Sequence, residues 1–176
     1  MHQQPPSKKP KKNSAELSLR GRALRLLGRR ELSRQELATR LRPYLDADNP
    51  GNAGELDALL DDLAERGWLS DARYAEAVVR RRTGQYARRS IAQLLKRAGV
   101  DEEVSASALE KSPENDPDEE FAAALALCQR KFRNVPVEQK EKARQIRFLQ
   151  SRGYSLGLAL RVVKQRGAVH DESEEP

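Results

Sequence analysis

Apolar residues recur three or four positions apart along almost the whole chain between residues 19 and 163. This spacing places them on one face of an α-helix, and no stretch shows the two-residue alternation of a half-buried strand. Nine successive segments carry such a stripe. Clear examples are Leu56, Leu59, Leu60 and Leu63 in the third segment, and Tyr74, Ala75, Val78 and Val79 in the fourth. The pattern predicts an all-α protein.

Glycines mark several joints between the predicted helices. Gly67, Gly99 and Gly153 each follow an apolar stripe, and each is followed within three positions by an apolar residue and then a serine or aspartate. Glycine readily takes the left-handed conformation that ends a helix, and serine or aspartate caps the first N–H groups of the next one. We therefore expect a helix to end at each of these glycines.

The second predicted helix opens at Ser33. Glu36 stands three positions later, which is the spacing of a capping box, and Leu32 and Leu37 occupy the positions of a hydrophobic staple. These four residues predict a well-defined helix start.

An internal repeat is visible where an aromatic residue follows the joint glycine, as Trp68 follows Gly67 and Tyr154 follows Gly153. Both aromatics are expected to pack into the joints; the alternative is that an exposed aromatic there anchors an interface. The repeat divides the chain into three-helix units at 17–68, 69–112 and 113–167, flanked by a disordered basic arm at 1–16 and an acidic tail at 168–176. A unit of about 45 residues is marginal alone, so neighbouring units should stack and share burial.

Charge changes the picture, because 34% of the 176 residues are charged, the formal net charge is +6, and the signs alternate in blocks. The block from Arg80 to Arg97 carries seven cations and no acid. Such a block either covers a solvent-facing surface or awaits an anionic partner, such as a phosphate backbone or an acidic protein surface. The composition also favours an elongated shape.

Residues for catalysis are scarce. The two histidines, His2 and His170, lie in the predicted tails, and Cys128 sits on an apolar stripe where a buried structural role is expected. No phosphate-binding glycine loop is present. Paired acids such as Asp61 and Asp62 leave an acid-bound metal enzyme as the third and least favoured possibility. We predict no enzymatic activity and no cofactor.

The single cysteine fits a reducing compartment, and the sequence contains neither a membrane-length apolar run nor a signal peptide. These features predict a cytoplasmic protein without membrane association.

Three ordered motifs resemble the bacterial regulatory protein RecX family. The central motif contains Gly67, Trp68, Leu69, Ser70, Asp71, Ala72, Arg73, Tyr74 and Ala75, continues through Val79 and Arg82, and ends with Tyr86, Ile91, Leu95, Gly99 and Val100. The opening motif contains Ala23, Leu26, Leu27, Arg30, Ser33, Glu36, Leu37 and Leu41, and the closing motif contains Phe148, Leu149, Arg152, Gly153, Tyr154 and Ser155. The chain departs from the family before the fifth helix, with Gln85, Tyr86 and Ala87 in place of glycine, aromatic, glycine, and with Ser90 where arginine is common.

The resemblance implies a fold of three tandem three-helix repeats forming an elongated curved rod. It also implies a non-enzymatic regulator, a monomer that binds the RecA–DNA filament and inhibits its ATPase and strand exchange, modulating homologous recombination, DNA repair and the SOS response. The alternative is an autonomous helical protein that binds single- or double-stranded DNA directly. The candidate contact residues are Arg73, Arg81, Arg82, Arg88, Arg89, Lys96, Arg97, Lys140, Arg144, Arg147 and Arg152.

Overall fold

The computed structural model describes residues 18–45, 52–111 and 116–171, and within these ranges all regular structure is helical. The helices are α1 (Leu19–Leu27), α2 (Arg34–Leu41), α3 (Asn52–Glu65), α4 (Asp71–Arg82), α5 (Arg88–Arg97), α6 (Glu102–Glu110), α7 (Pro117–Lys131), α8 (Gln139–Ser151) and α9 (Leu156–Asp171), with a 3₁₀ turn at Arg42–Tyr44. The all-α prediction is confirmed. The predicted basic arm at 1–16 lies outside the described residues, as do residues 172–176 of the predicted tail, whereas residues 168–171 belong to α9.

The joint glycines behave as the sequence predicts. Gly67, Gly99 and Gly153 have φ angles of 70°, 74° and 93°, in the left-handed region. Each ends its helix with the paired hydrogen bonds of a Schellman motif; at Gly153, for example, the Gly153 N–H donates to Gln150 O and the Tyr154 N–H to Leu149 O. The next helix then starts at a side-chain cap in every case, at Ser70, Asp101 or Ser155.

Only part of the capping box predicted at the start of α2 is present. The Ser33 hydroxyl accepts a hydrogen bond from the Glu36 N–H at 3.0 Å, and Leu32 and Leu37 are both buried. The Glu36 carboxylate, however, does not return to cap Ser33: it accepts a hydrogen bond from the Tyr74 hydroxyl at 3.0 Å and pairs with Arg30. The second half of the capping box is thus diverted to a contact between units.

Three hydrophobic clusters follow one another along the chain, one for each group of three helices. The first runs from Ala23 to Leu69, the second from Tyr74 to Leu109, and the third from Ala124 to Val162 with Ala87 added from the preceding turn. Leu69, placed in the second unit by the sequence, packs in the first cluster. Tyr154 is fully buried, but Trp68 is 45% exposed, so the expectation that both aromatics pack into joints is wrong for Trp68.

The two junctions between units are built alike. The start of α2 packs on the joint between α5 and α6, where the buried Ser33 hydroxyl donates to Ala98 O at 2.6 Å. The start of α5 packs on the joint between α8 and α9, where the Ala87 N–H donates to Arg152 O at 2.9 Å. A glycine lies at each contact because an added Cβ would overlap the facing helix: at Gly99 it would meet Gln35, and at Gly153 it would meet Ser90.

Candidate interaction surface

The candidate cations lie on α4, α5 and α8, except Arg152, which follows the end of α8. The structure separates them into side chains that already contact other parts of the protein and side chains that extend into solvent. This division decides which of them are available to a partner.

Tyr86 lies between two of the candidate arginines at the junction of the second and third units. The guanidinium carbon of Arg82 is 4.9 Å from the centre of the ring, and that of Arg152 is 4.7 Å from it. Arg152 also lies 5.3 Å from the ring of Phe148. Cation–π contacts of this kind hold both guanidinium groups beside the aromatic ring. The two arginines therefore present positive charge at the junction from fixed positions.

Arg88 and Arg89, at the first turn of α5, form hydrogen bonds to backbone carbonyls in other segments of the fold. An Arg88 guanidinium N–H donates to Leu109 O at 2.9 Å and so satisfies a carbonyl in the last turn of α6. The Arg89 Nε–H donates to Gly153 O across the junction. These contacts leave neither side chain free to turn fully towards a partner.

Arg73 and Arg144 also have partners within the protein. Arg73 forms an ion pair with Glu31 at 3.0 Å and donates a hydrogen bond to Trp68 O, linking the start of α4 to the first unit. Arg144 lies 5.5 Å from the centre of the Phe132 ring. Both side chains remain partly accessible, so they could contribute to an interface without leaving these positions.

The remaining five candidate cations are exposed and form no ion pair with another described residue. They are Arg81, Lys96 and Arg97 in the second unit and Lys140 and Arg147 in the third. Arg97 joins Arg82 and Tyr86 around a shallow pocket of ≈ 320 Å³, which Ser151 of α8 also lines. At this pocket, basic groups of α4 and α5 lie next to the third unit.

Basic and acidic blocks elsewhere neutralise one another. In the first unit, Asp61 pairs with Arg34 at 2.8 Å, and Asp62 pairs with Arg66 at 2.9 Å and with Arg20. The hydrogen bond from Arg66 is the main influence that lowers the pKa of the Asp62 carboxyl. In the second unit, Glu76 pairs with Lys111 at 2.5 Å, and this contact lowers the pKa of Glu76.

The single cysteine lies in the core of the third unit. Cys128 is fully buried, where its thiol lies 3.4 Å from the Gln145 amide oxygen, and burial raises the pKa of the thiol. Within residues 18–45, 52–111 and 116–171, no three histidine, cysteine or acidic side chains converge on a point where a metal ion could bind. None of the helices in these ranges combines the length and hydropathy that a membrane-spanning segment needs.

The charge-based site prediction missed two exposed aromatic residues in the first unit. Trp68 is 45% exposed with Arg66 at 5.7 Å from its ring, and Tyr44 is 55% exposed with Arg22 at 4.0 Å. Trp68 lies in the joint after α3, and Tyr44 lies in the 3₁₀ turn after α2. The sequence contained no signal that distinguished them from core aromatics such as Tyr74 and Tyr154.

Comparison with protein-family models matches two parts of the chain. Residues 70–109 match the model of the second three-helix domain of RecX, and residues 118–163 match that of the third. The first stretch contains α4 to α6 almost entirely, and the second contains α7 and α8 and the first half of α9.

Similar proteins extend the match over most of the chain. The regulatory protein RecX of Leptothrix cholodnii is 39% identical over 159 residues, covering 90% of this chain and 96% of the relative. That of Ralstonia nicotianae is 37% identical over 160 residues, covering 91% and 95%. The crystal structure of RecX from Lactobacillus salivarius shares the fold with a TM-score of 0.60 at 16% identity, covering 85% of this chain and 95% of that one.

Proposed function

The chain belongs to the RecX family of regulatory proteins, and from this premise we propose that it is a non-enzymatic regulator that binds the RecA–DNA filament and inhibits its ATPase and strand exchange. Its action would modulate recombination and DNA repair in the cytoplasm, and the protein would act as a monomer. The observation that carries the proposal is the similarity to RecX regulators over nine-tenths of the chain.

The distribution of charge supports a contact through the second and third units. Five of the candidate cations, Arg81, Lys96, Arg97, Lys140 and Arg147, have no counter-ion among the described residues, whereas Asp61 and Asp62 of the first unit already pair with arginines. An uncompensated cationic surface attracts an anionic partner over distances of about a Debye length, ~10 Å at moderate salt. Both the phosphates of a nucleoprotein filament and acidic protein surfaces have the required sign.

The proposal is tested with the single-stranded DNA-dependent ATPase and the strand-exchange activity of purified RecA, titrated with this protein. A variant with Arg81→Ala, Lys96→Ala and Arg97→Ala removes three exposed cations. We expect a loss of inhibitory potency of about tenfold, because three weak contacts of about 0.5 kcal/mol each sum to roughly 1.4 kcal/mol.

The control is a variant that removes the same charge from the first unit, through Arg25→Ala, Arg29→Ala and Arg40→Ala. These residues are also exposed and form no ion pair with a described residue. This control variant should inhibit RecA nearly as well as the unaltered protein does. If the unaltered protein left both RecA activities unchanged at stoichiometric excess, the proposed function would be wrong, and equal effects of the two variants would move the contact away from α4 and α5.

Autonomous DNA binding is a second candidate, favoured by the pairing of exposed aromatics with arginines in the first unit. Bases of a single strand stack on such side chains while cations follow the backbone. This function predicts binding to bare DNA without RecA, with a salt slope of about 0.9 per phosphate contacted on duplex DNA. Trp68→Ala and Tyr44→Ala should then weaken binding to single strands more than to duplexes in a fluorescence anisotropy titration.

A further inference from the structure

A groove of ≈ 660 Å³ lies between α8 and α9 in the third unit, away from the basic junction. One wall is formed by the first half of α8, the other by the middle of α9 from Leu160 to Ala168, and the segment Val135–Val137 closes one end. Its volume falls within the range of about 300–1,000 Å³ that is typical of ligand-binding clefts. No contact within the described residues fills it.

Two of the apolar side chains that line the groove are unusually exposed. Val137 is 66% exposed and Leu160 is 48% exposed, and Leu156, one turn before Leu160 on α9, is 52% exposed. Large apolar residues exposed together on one face typically mark an interaction site. From Leu156 to Ala168, this face of α9 extends about 18 Å at 1.5 Å per residue, which matches roughly three turns of a partner helix.

The charged side chains that line the groove have one sign. Lys142 on α8 and Lys164 on α9 line opposite walls, no carboxylate lines the groove, and neither lysine pairs with an acid among the described residues. The nearby carboxylate of Glu141 accepts a hydrogen bond from the Val137 N–H at 3.3 Å and lines a neighbouring cleft instead. A ligand in the groove would therefore meet a cation on each side of an apolar floor.

The walls are held in place before any ligand arrives. Arg166 on α9 is buried, and its guanidinium donates to Phe132 O at 2.7 Å and to Asn134 O at 3.1 Å. These bonds attach the segment after α7 to α9, and Pro136 of that segment is fully buried. A preformed groove spares a ligand the entropic cost of ordering it.

We propose that this groove binds an acidic amphipathic helix of a partner protein, with its apolar stripe against Val137 and Leu160 and its carboxylates on both flanks near Lys142 and Lys164. Helix-in-groove recognition places apolar residues at positions i, i+3 or i+4, and i+7 of the ligand. The lysines select the sign of the flanking charge, because a basic helix would bring like charges together. The site needs neither DNA nor the cations of α4 and α5.

The test uses synthetic fluorescein-labelled helices of roughly 14 residues, or about four turns, in the absence of RecA and DNA. One probe has leucines at the stripe positions with glutamates on both flanks, a second has lysines in place of the glutamates, and a third has alanines in place of the leucines. Fluorescence anisotropy should show binding of the glutamate probe, with affinity for each of the other two weaker by at least about tenfold, or roughly 1.4 kcal/mol. Equal binding of the glutamate and lysine probes, or no binding of the glutamate probe, would overturn the proposal.

Two variants locate the binding. Lys142→Glu with Lys164→Glu should reverse the preference, so that the lysine probe binds better, and Val137→Ser with Leu160→Ser should weaken the glutamate probe at least fivefold, about 1 kcal/mol. The matched controls are Leu24→Ser, at an exposed leucine of α1, and Lys96→Glu with Arg97→Glu on α5, and neither should change the affinity. If only the control variants lost affinity for the glutamate probe, the probe would bind outside the groove, and the assignment would be refuted.

Sedimentation of the protein without probe separates a second copy of the chain from a different partner. A concentration-dependent dimer that Val137→Ser with Leu160→Ser abolishes would mean that the groove is a self-association surface, contrary to the proposal. A monomer at all concentrations, together with probe binding, supports it. Neither result depends on RecA, so failure here and failure of filament inhibition are distinguishable.

Discussion

Replacing Gly153 with alanine should destabilise the junction between the second and third units more than the same replacement at Gly67 destabilises its joint. Both glycines have left-handed φ angles, 93° and 70°. At Gly67 an added Cβ would have no neighbour within 4 Å, whereas at Gly153 it would lie 1.9 Å from Ser90 Oγ and 2.8 Å from Ser90 Cβ. The Ser90 hydroxyl can rotate away, but its Cβ cannot move without α5.

The two variants therefore differ in packing as well as in backbone strain. An alanine in the left-handed region costs about 1–2 kcal/mol, which is the whole cost expected at Gly67. Overpacking a fitted contact adds typically ~1–3 kcal/mol, so Gly153→Ala should lower the free energy of unfolding by about 2–5 kcal/mol.

Urea unfolding followed by circular dichroism at 222 nm measures both costs. Ser90→Gly removes both overlapping atoms, so combining it with Gly153→Ala should recover the overpacking cost, and the double-mutant cycle should show a coupling of at least about 1 kcal/mol. The reasoning is refuted if Gly153→Ala costs no more than Gly67→Ala, or if Ser90→Gly gives no rescue.

Three further predictions concern single side chains. Ser33→Ala should cost about 2–3 kcal/mol in urea unfolding, because a buried hydrogen bond and a helix cap are both lost, whereas Ser70→Ala, which loses only a cap, should cost about 1 kcal/mol. Burial, reinforced by the hydrogen bond to the Glu36 carboxylate, raises the pKa of Tyr74 from 10.0 to about 12, so folding favours the protonated phenol. The contribution of this group to the free energy of unfolding is complete below pH 10 and is lost as the pH rises towards 12. Wild-type stability should thus fall more steeply over this interval than that of Tyr74→Phe, and parallel curves would contradict the assignment. Arg88→Ala should lower the melting temperature by the equivalent of about 1–2 kcal/mol, because Leu109 O at the end of α6 loses its side-chain donor, while Lys96→Ala should stay within about 0.5 kcal/mol of the original stability. Equal effects would argue against a structural role for Arg88.

Local signals in the sequence were sufficient to predict the helices and the positions where they end. Apolar spacing predicted nine helical segments, and nine α-helices form within the described part of the chain. Gly67, Gly99 and Gly153 each adopt the predicted left-handed conformation. Such features depend on residues within one or two helical turns, and the interactions that decide them are therefore present in the local sequence. The cap at Ser33 is of this kind as well.

The candidate site was less predictable, because charge in a sequence does not show which charges are already satisfied. Arg88 and Arg89 belong to the most basic block of the chain, yet Arg88 binds a backbone carbonyl at the end of α6 and Arg89 binds one in the joint between α8 and α9. Arg97 in the same block is exposed. The three residues have the same chemistry, and only the positions of α6 and α9 relative to α5 distinguish them. Whether the exposed cations contact a filament stays a prediction.

The sequence by itself determined the all-helical class, the positions of the joints and the family resemblance, since these follow from periodicity, capping chemistry and ordered motifs. Tertiary structure alone decided that Glu36 leaves its capping box for Tyr74, that Gly99 and Gly153 lie at close contacts between units, and that Val137 and Leu160 line an open groove. In each case the deciding neighbour lies in a different helix or connecting segment, more than twenty residues away along the chain. Packing between helices brings such residues together, and local sequence carries no record of it.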